Sequence, residues 1–510
     1  MLQPVENIVQ RLQRQPMLMV LAGLIAGIVL ADCLRPDVWV VAVGFVVACG
    51  VAYRFRWAMM VAVVMTGMVA LTLRREAEQI PQGERLMQIE LHSPRHSYSE
   101  WHDFDARVVA LHTGEEWQRS SLEIRLRVKP SLGLQAGERI VARARLRGYD
   151  GEQEYGRYMR QVGIAGVIYI DSEDVVGRET SSAGRGARLR QKAMQRIERL
   201  GLSHDVESVV AAMSIGERST LNRELRQSYV RAGGAHLLAV SGLHVGFLFV
   251  LVNLLLFPMA ALRDGQLWRS VVAVVVIWLY AMMVGFSPSV VRAAVMFSLV
   301  QVMITLASGN SLLNSLSFAA FVMLVWDART LYDAGFQLSV VAVAAIVVWG
   351  VDLIRWLVPP LQGWEGSSWW RRLLRWVWRW AVSAVVVSFV ASVATMPLSS
   401  YLFGEISLWS MVIGGVMVAL CAVVVGVALL WVIAPVEIFE SAAAWVLELS
   451  AGGMNSIAEW CAGVDVMSHQ ISISSTACWM IYLGYLLFTL ALWSLPRRES
   501  PTAFIYPLKR

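Results

Sequence analysis

Little in this sequence invites redox or metal chemistry. The five cysteines, Cys33, Cys49, Cys421, Cys461 and Cys478, all fall in or beside apolar stretches, and no two form a CxxC pair. That placement excludes a zinc ribbon or a disulfide framework and leaves them as small hydrophobes. His92, His96, His102 and His112 are scattered without metal-ligand spacing. No glycine-rich P-loop appears, so the chain carries no nucleotide-driven motor of its own. Nothing calls for a cofactor or a bound metal. Charge is also scarce: Asp, Glu, Lys and Arg make up 16% of the residues against 57% hydrophobic, with mean hydropathy +0.55. A chain so poor in charge, with several runs near the ~20 apolar residues that cross a bilayer, is a multi-pass membrane protein rather than a soluble one.

Three apolar runs open the chain, Met17 to Ala31, Val38 to Tyr53 and Trp57 to Leu73. No signal-peptide cleavage pattern follows the first, so residues 1–73 read as an anchor. Arg11 and Arg14 precede the first run, and Arg54 and Arg56 sit between the second and third. Positive residues stay in the cytoplasm, which places the N-terminus inside and the segment after the anchor outside.

Residues 74–180 change to period two. Ile124, Leu126 and Val128 alternate with Arg125, Arg127 and Lys129, and Ile140, Ala142, Ala144 and Leu146 alternate with Arg143, Arg145 and Arg147. With further strands at Leu86–Leu91, Asp103–Leu111 and Gly163–Asp171, this predicts a small all-β soluble domain, OB-like. If the two arginine strands are neighbours, balanced only by Glu123 and Glu138, they form one basic face for nucleic acid, with Tyr149, Tyr155 or Trp117 available for stacking. A merely solvated sheet face is the competing reading. Residues 181–235 form a basic linker and lead-in. Its helix, Gly184 to Leu200, carries Arg185, Arg188, Arg190, Lys192, Arg196 and Arg199 and can lie on anionic membrane lipid or on the soluble domain.

From 236 to 495 apolar runs recur near 236–257, 268–286, 290–307, 311–326, 335–358, 380–396, 407–433, 441–464 and 475–494. With the anchor they make about twelve spans. That count leaves Arg371, Arg372, Arg375, Arg379 and the tail at 496–510 in the cytoplasm. Polar groups inside these runs are expensive and read as functional. His236, Ser241 and His244 open the first run, and on a helix His236, Val240 and His244 would lie in line. Arg292 follows Ser287-Pro288, a helix-start pair; Asp333 and Gln337 share a helical face. Gly242, Pro288 and Pro397 are expected helix breaks, the last as a kink or end. His236, Ser241, His244, Arg292, Asp333 and Gln337 are expected to meet in one polar cavity, Arg292 gripping phosphate and pairing with Asp333 when no phosphate is bound.

The stretch HLLAVSGLHV at 236–245, with SPSVVR at 287–292 and DAGFQLS at 333–339, resembles the ComEC competence family. The family pattern is also matched at Arg231, Gly233, Ala293, Asn314, Asp327, Thr395 and Phe403. This resemblance implies an inner-membrane channel importing single-stranded DNA in natural transformation. It also implies an external DNA receptor and a cytoplasmic helicase-like motor as partners. The family's frequent metallo-β-lactamase-like domain has no HxHxDH counterpart here, so the chain is expected to be a channel and not an enzyme. The Asn-containing stretch expected after Pro397 is replaced by Leu408-Trp-Ser-Met-Val-Ile413. Two other functions compete: an intramembrane hydrolase using Ser241 and His244, whose base would need a third group such as Asp333, and a small-solute or lipid-linked exporter.

Overall fold

The computed structural model describes residues 15–494, with short interruptions near 56, 76–82, 96–100, 114, 135, 150–153, 180–184, 219, 263, 307–311, 358–368, 405, 408 and 465–470, together with scattered positions before 15. It is rich in long apolar helices and carries one sheet domain. Six described helices are long and apolar enough to cross a membrane.

The anchor is three helices, α1 (Pro16–Leu34), α2 (Val38–Arg54) and α3 (Ala58–Arg75). Helices α1 and α3 cross at glycine. A Cβ on Gly27 would sit 1.9 Å from the Val64 carbonyl oxygen, and one on Gly67 would sit 2.3 Å from that of Leu24. Small residues let apolar helices meet backbone to backbone in this way. Leu24, Ile28 and Ala31 also pack on Ala320 and Leu324 of a later helix, so the anchor is docked on the core.

The sheet domain contains β1 (Glu84–Arg95), β2 (His102–Thr113), β3 (Glu116–Val128), β4 (Arg139–Arg145), β5 (Arg147–Gly148), helix α4 (Glu154–Val162), β6 (Ile164–Ile170) and β7 (Val175–Glu179). The strand order is β5-β6-β3-β2-β1-β4-β7. β3 and β6 pair in parallel; the other pairs are antiparallel. Strands β4 and β5 are separated in sequence by Leu146 alone yet stand towards opposite ends of that order, so the sheet curls back on itself. Its interior is filled by the alternating residues Ile89, Leu91, Ile124, Leu126, Ile140, Ala142, Ile168 and Ile170, as the period-two pattern requires.

The lead-in and core follow as α5 (Arg185–Glu198), α6 (His204–Ile215), α7 (Arg223–Arg231), α8 (Gly242–Leu255), α9 (Gly265–Met283), α10 (Pro288–Leu306), α11 (Leu312–Trp326), α12 (Ala334–Ala345), α13 (Val351–Leu357), α14 (Trp369–Phe403), α15 (Gly414–Ile433), α16 (Glu440–Ala462) and α17 (Ser475–Ser494). One π turn, Ile346–Gly350, joins α12 to α13.

Three expectations need correction here. First, the run beginning at 236 is not a helix until Gly242. Gly233 has φ +73°, the Gly234 amide bonds back to Tyr229 O and the Leu237 amide to Gly234 O. His236 and Val240 therefore lie in an irregular segment and do not line up with His244 on one helix. Second, Pro397 does not end or break its helix, which continues to Phe403. Proline lacks the amide that would serve the carbonyl four residues back. That carbonyl, Val393 O, accepts from Tyr485 OH at 3.0 Å, and Ala394 O accepts from Tyr482 OH at 3.0 Å. A neighbouring helix thus satisfies the freed group inside the bundle.

Third, the simple alternation used to count spans does not run through the whole core. Arg190 of α5 donates to Met283 O at the end of α9 at 3.0 Å, and Arg196 donates to Val432 O at the end of α15. Six residues of helix rise only about 9 Å, so both ends lie close together. Counting every intervening helix as one crossing would put them on opposite faces of a core ~30 Å thick.

Candidate functional site

Two of the polar groups among the apolar helices hold the expected site residues. The first forms at the start of α8. Ser241 is its N-cap, accepting from the Leu243 amide at 3.3 Å, and His244 completes a capping box. His244 Nδ1 accepts the Ser241 amide at 2.9 Å and lies 3.0 Å from Ser241 Oγ. An Nδ1 that accepts an amide proton carries none, so the ring proton is on Nε2, where Cys421 Sγ of α15 stands at 3.3 Å. His244 is 0% exposed. This arrangement closes a helix end inside protein, where open amides have no water to bond. Among the described contacts Asp333, the suggested third group of a Ser-His catalytic set, does not meet the ring.

The second group forms where α10 and α12 begin. Arg292 Nη1 donates to Asp333 Oδ1 at 2.8 Å, with the two side chains 12% and 27% exposed. Asp333 is also the N-cap of α12, its Oδ1 accepting the Phe336 amide at 2.8 Å. Gln337 Nε2 donates to Leu331 O at 2.9 Å, tying α12 to the turn before it. Gly335 makes room for the guanidinium: a Cβ there would lie 2.3 Å from Arg292 Nη2. Pro288 stands first in α10, which begins with the fixed φ a helix needs.

The two groups are neighbours through the first turns of α10. Ser289 Oγ donates to Val240 O at 3.4 Å, and a Cβ on Gly242 would touch Ala293 at 3.4 Å. No direct bond joins His244 or Ser241 to Arg292 among the described contacts. His236 is exposed and makes no bond to either group among the described contacts, but it stands close enough to His244 to act on it electrostatically, as Arg218 does. Cys421 was missed in sequence, where it read as one more small hydrophobe. Its partner lies 177 residues away, and no local signal marks it.

The sheet domain reaches this site. Gln161 Nε2 donates to Asp32 Oδ2 of α1 at 3.0 Å. Gly163, with φ +88°, takes the Arg329 side chain where its own Cβ would stand. Arg329 is held by Asp327 at 3.1 Å, in the turn that leads into Asp333.

The basic face differs from the expected one in two ways. Strands β3 and β4 are not neighbours: β2 and β1 lie between them on one side and β6 on the other. Balancing acids are present. Asp105 stands 3.5 Å from Arg125, Asp103 stands 3.3 Å from Arg127, and Lys129 pairs with Asp171. Arg125 is buried; Arg143, Arg145 and Arg147 are exposed. Lys129 holds the Asp171 carboxyl below the usual carboxylate range by hydrogen bonding. Of the expected aromatics, Tyr149 stands close enough to Arg127 to act on it electrostatically, and two that were not expected join this surface. Arg127 and Arg147 lie over the Tyr169 ring at 5.5 and 5.4 Å, and Lys129 lies over Trp101 at 5.9 Å. Trp101 and Tyr169 meet edge to face at 5.6 Å. Trp117 instead packs on His112, and the Tyr155 side chain lies outside the described residues.

Comparison with known proteins places this architecture. ComE operon protein 3 of Bacillus subtilis is 26% identical over 223 residues, covering 42% of this chain and 25% of that protein. Recombination protein 2 of Haemophilus influenzae is 22% identical over 352 residues, covering 66% of this chain and 41% of that protein. The chain therefore spans less than half the length of these curated relatives. No solved structure is significantly similar. The family model described as Competence protein matches residues 213–498, a range holding both polar groups and most of the core, and the chain belongs to that family.

Proposed function

We propose that the chain is a channel carrying single-stranded DNA across the inner membrane into the cytoplasm. The observation that carries this reading is the Arg292–Asp333 pair at the heads of two apolar helices. An ion pair among such helices is costly to build and belongs to a path for charge. A guanidinium grips two phosphate oxygens at once, so an arriving phosphate competes with Asp333 for the same fork. His236 would line the rest of the path, while Ser241 and His244 hold the α8 end and Gln337 holds the turn beside it, with Gly242 and Pro288 setting where its helices start. Disruption of the gene in a competent host, scored for transformants and for DNA retained outside the inner membrane, tests the reading.

The sheet domain is read as an OB-type barrel, supported by the β1-β2-β3-β6 path, the parallel β3–β6 pair and the β4–β5 strand that returns to β6. Its DNA surface centres on Trp101, Tyr169, Arg127, Lys129 and Arg147, with Arg143 and Arg145 at its edge and Arg125 serving the fold. Trp101→Ala and Tyr169→Ala should each weaken binding of single-stranded DNA to the purified full chain by about 1–3 kcal/mol, the usual value of one stacked base. Affinity should also fall steeply with salt. Fluorescence titration at two salt concentrations reads both; salt-independent binding contradicts the assignment.

For topology, Arg54 and Arg56 keep the α2–α3 turn in the cytoplasm and the sheet domain outside. Helix α17 runs antiparallel to α14, since Ile471 meets Ser400 while Tyr485 reaches Val393. Its end at Ser494 therefore points towards the arginine-rich start of α14, which supports a cytoplasmic C-terminus beside a cytoplasmic N-terminus. A reporter fused after Asp150 should be active only as an exported protein; cytoplasmic activity there overturns this topology. An external DNA receptor and a cytoplasmic helicase-like motor complete the proposed pathway.

A further inference from the structure

Helix α5 is a strap across the ends of two apolar helices. Arg190 fills the Met283 carbonyl, Arg196 fills Val432 O and reaches Ile433 O at 3.5 Å, and Trp431 Nε1 returns a bond to Arg196 O at 2.7 Å. The last turn of a helix leaves such carbonyls open, and basic side chains close them. Both α9 and α15 are long and apolar enough to span a membrane. Their ends mark the boundary between hydrocarbon and water, and α5 lies along that boundary. Its inner face is committed to the bundle: Ala193 and Ile197 are buried in the main core.

The outer face is not committed. Arg188 and Lys192 are four residues apart, so they share a helix face, and both are exposed. Neither bonds another described residue. With Leu189, and with Leu279 and Met282 of α9, they line an open groove of about 390 Å³. A track of Val271, Val275 and Leu279 leads away from this groove along α9, and these residues are 45%, 50% and 50% exposed. Two free cations at the head of an apolar track, at a membrane boundary, match a phosphate attached to an acyl chain. Inorganic phosphate or a nucleic-acid strand would use the cations and leave the track uncovered.

We propose that this groove is a binding site for one anionic phospholipid, its phosphate between Arg188 and Lys192 and an acyl chain along Val271, Val275 and Leu279. The bound lipid fixes α5, which joins the sheet domain to the core, and so sets how the domain stands over the membrane. The site requires only that the chain sits in a membrane; it does not depend on what the channel carries.

Native mass spectrometry of the full chain in detergent, equilibrated with phosphatidylglycerol or phosphatidylcholine, tests this. The wild-type chain should retain one more phosphatidylglycerol than phosphatidylcholine. Arg188→Gln with Lys192→Gln should weaken that retention by about ten- to thirty-fold, from the loss of two cations at an anionic headgroup. Arg188→Lys with Lys192→Arg should keep it. Neither millimolar inorganic phosphate nor a single-stranded oligonucleotide should displace the lipid. Equal retention of the two lipids, or unchanged retention in the Gln pair, overturns the proposal. Displacement by phosphate also overturns it, by showing a simple anion site, and displacement by the oligonucleotide would assign the groove to nucleic acid. The charge-conserving pair guards against misfolding: it must fold and bind like wild type, and loss of lipid from it would also count against the site.

Discussion

Arg292→Ala should abolish DNA uptake while the protein still inserts and accumulates. The guanidinium sits 2.8 Å from Asp333 and is only 12% exposed, so its loss empties the contact at the heads of α10 and α12. Removing one partner of a buried pair leaves the other charge uncompensated, a cost of about 3–5 kcal/mol at full burial. The cost here is smaller, because Asp333 is partly exposed and keeps its bond to the Phe336 amide. Loss of uptake and loss of folding can be separated. Arg292→Ala combined with Asp333→Asn removes the orphan charge and keeps an acceptor for the Phe336 amide, so any loss of accumulation in the single variant should be recovered while uptake stays absent. Arg292→Lys should rescue in part, since it keeps the charge and loses the planar fork. Gly335→Ala should act in the same direction more weakly, because its Cβ displaces the guanidinium without removing it. Uptake is read as transformants per cell, and accumulation by immunoblot of the membrane fraction. Wild-type transformation by Arg292→Ala would remove this residue from the path.

The second large effect concerns the anchor. Gly27→Val should strip the protein from the membrane fraction. Any Cβ at Gly27 meets the Val64 carbonyl oxygen at 1.9 Å and the Gly67 Cα at 3.2 Å. These are backbone atoms, which cannot swing aside as a side-chain tip can, so α1 and α3 must separate. Overpacking costs about 1–3 kcal/mol where side chains give way, and a backbone clash lies at or beyond the top of that range. Separation also lifts Leu24 and Ile28 off Ala320 and Leu324, undoing the anchor's dock on the core. Gly50→Ala is the control, because a Cβ there meets nothing within 4 Å. Immunoblotting of membranes, with thermal aggregation of the detergent-purified protein, should show Gly27→Val depleted or destabilised and Gly50→Ala unchanged. Equal behaviour of the two would contradict the close crossing.

What the sequence made legible was whatever depends on neighbours along the chain. The apolar runs at 268–286, 311–326 and 475–494 became α9, α11 and α17 within a few residues, because length and hydropathy are local quantities. The period-two stretches became β3 and β4 for the same reason. Pairing is not local. Arg125 and Arg127 meet Asp105 and Asp103 on β2, an earlier strand, and nothing in either stretch announces the other. The two arginine strands look adjacent in sequence, yet strand order separates them, and Tyr169 comes between Arg127 and Arg147 from β6. Pro397 read as a break because its rescuer, Tyr485, belongs to a different helix. The 236–245 signature read as a span because its side chains are apolar, while its backbone turns at Gly233 and Gly234 before Ser241 starts the helix. In the membrane core the pair Arg292–Asp333 could be anticipated from charge alone; the link from His244 to Cys421 could not, because neither residue constrains the other locally.

The sheet domain is tied to the core through Gly163, Arg329 and the turn before Asp333.

The most direct measurement follows end-labelled duplex DNA offered to a competent strain that lacks this gene. The account predicts that label enters the cell envelope but stays outside the inner membrane, open to nuclease after the outer barrier is permeabilised, and that no transformants arise until the wild-type gene is restored. Label protected in the cytoplasm, with transformants at the wild-type frequency in the strain lacking the gene, would contradict it.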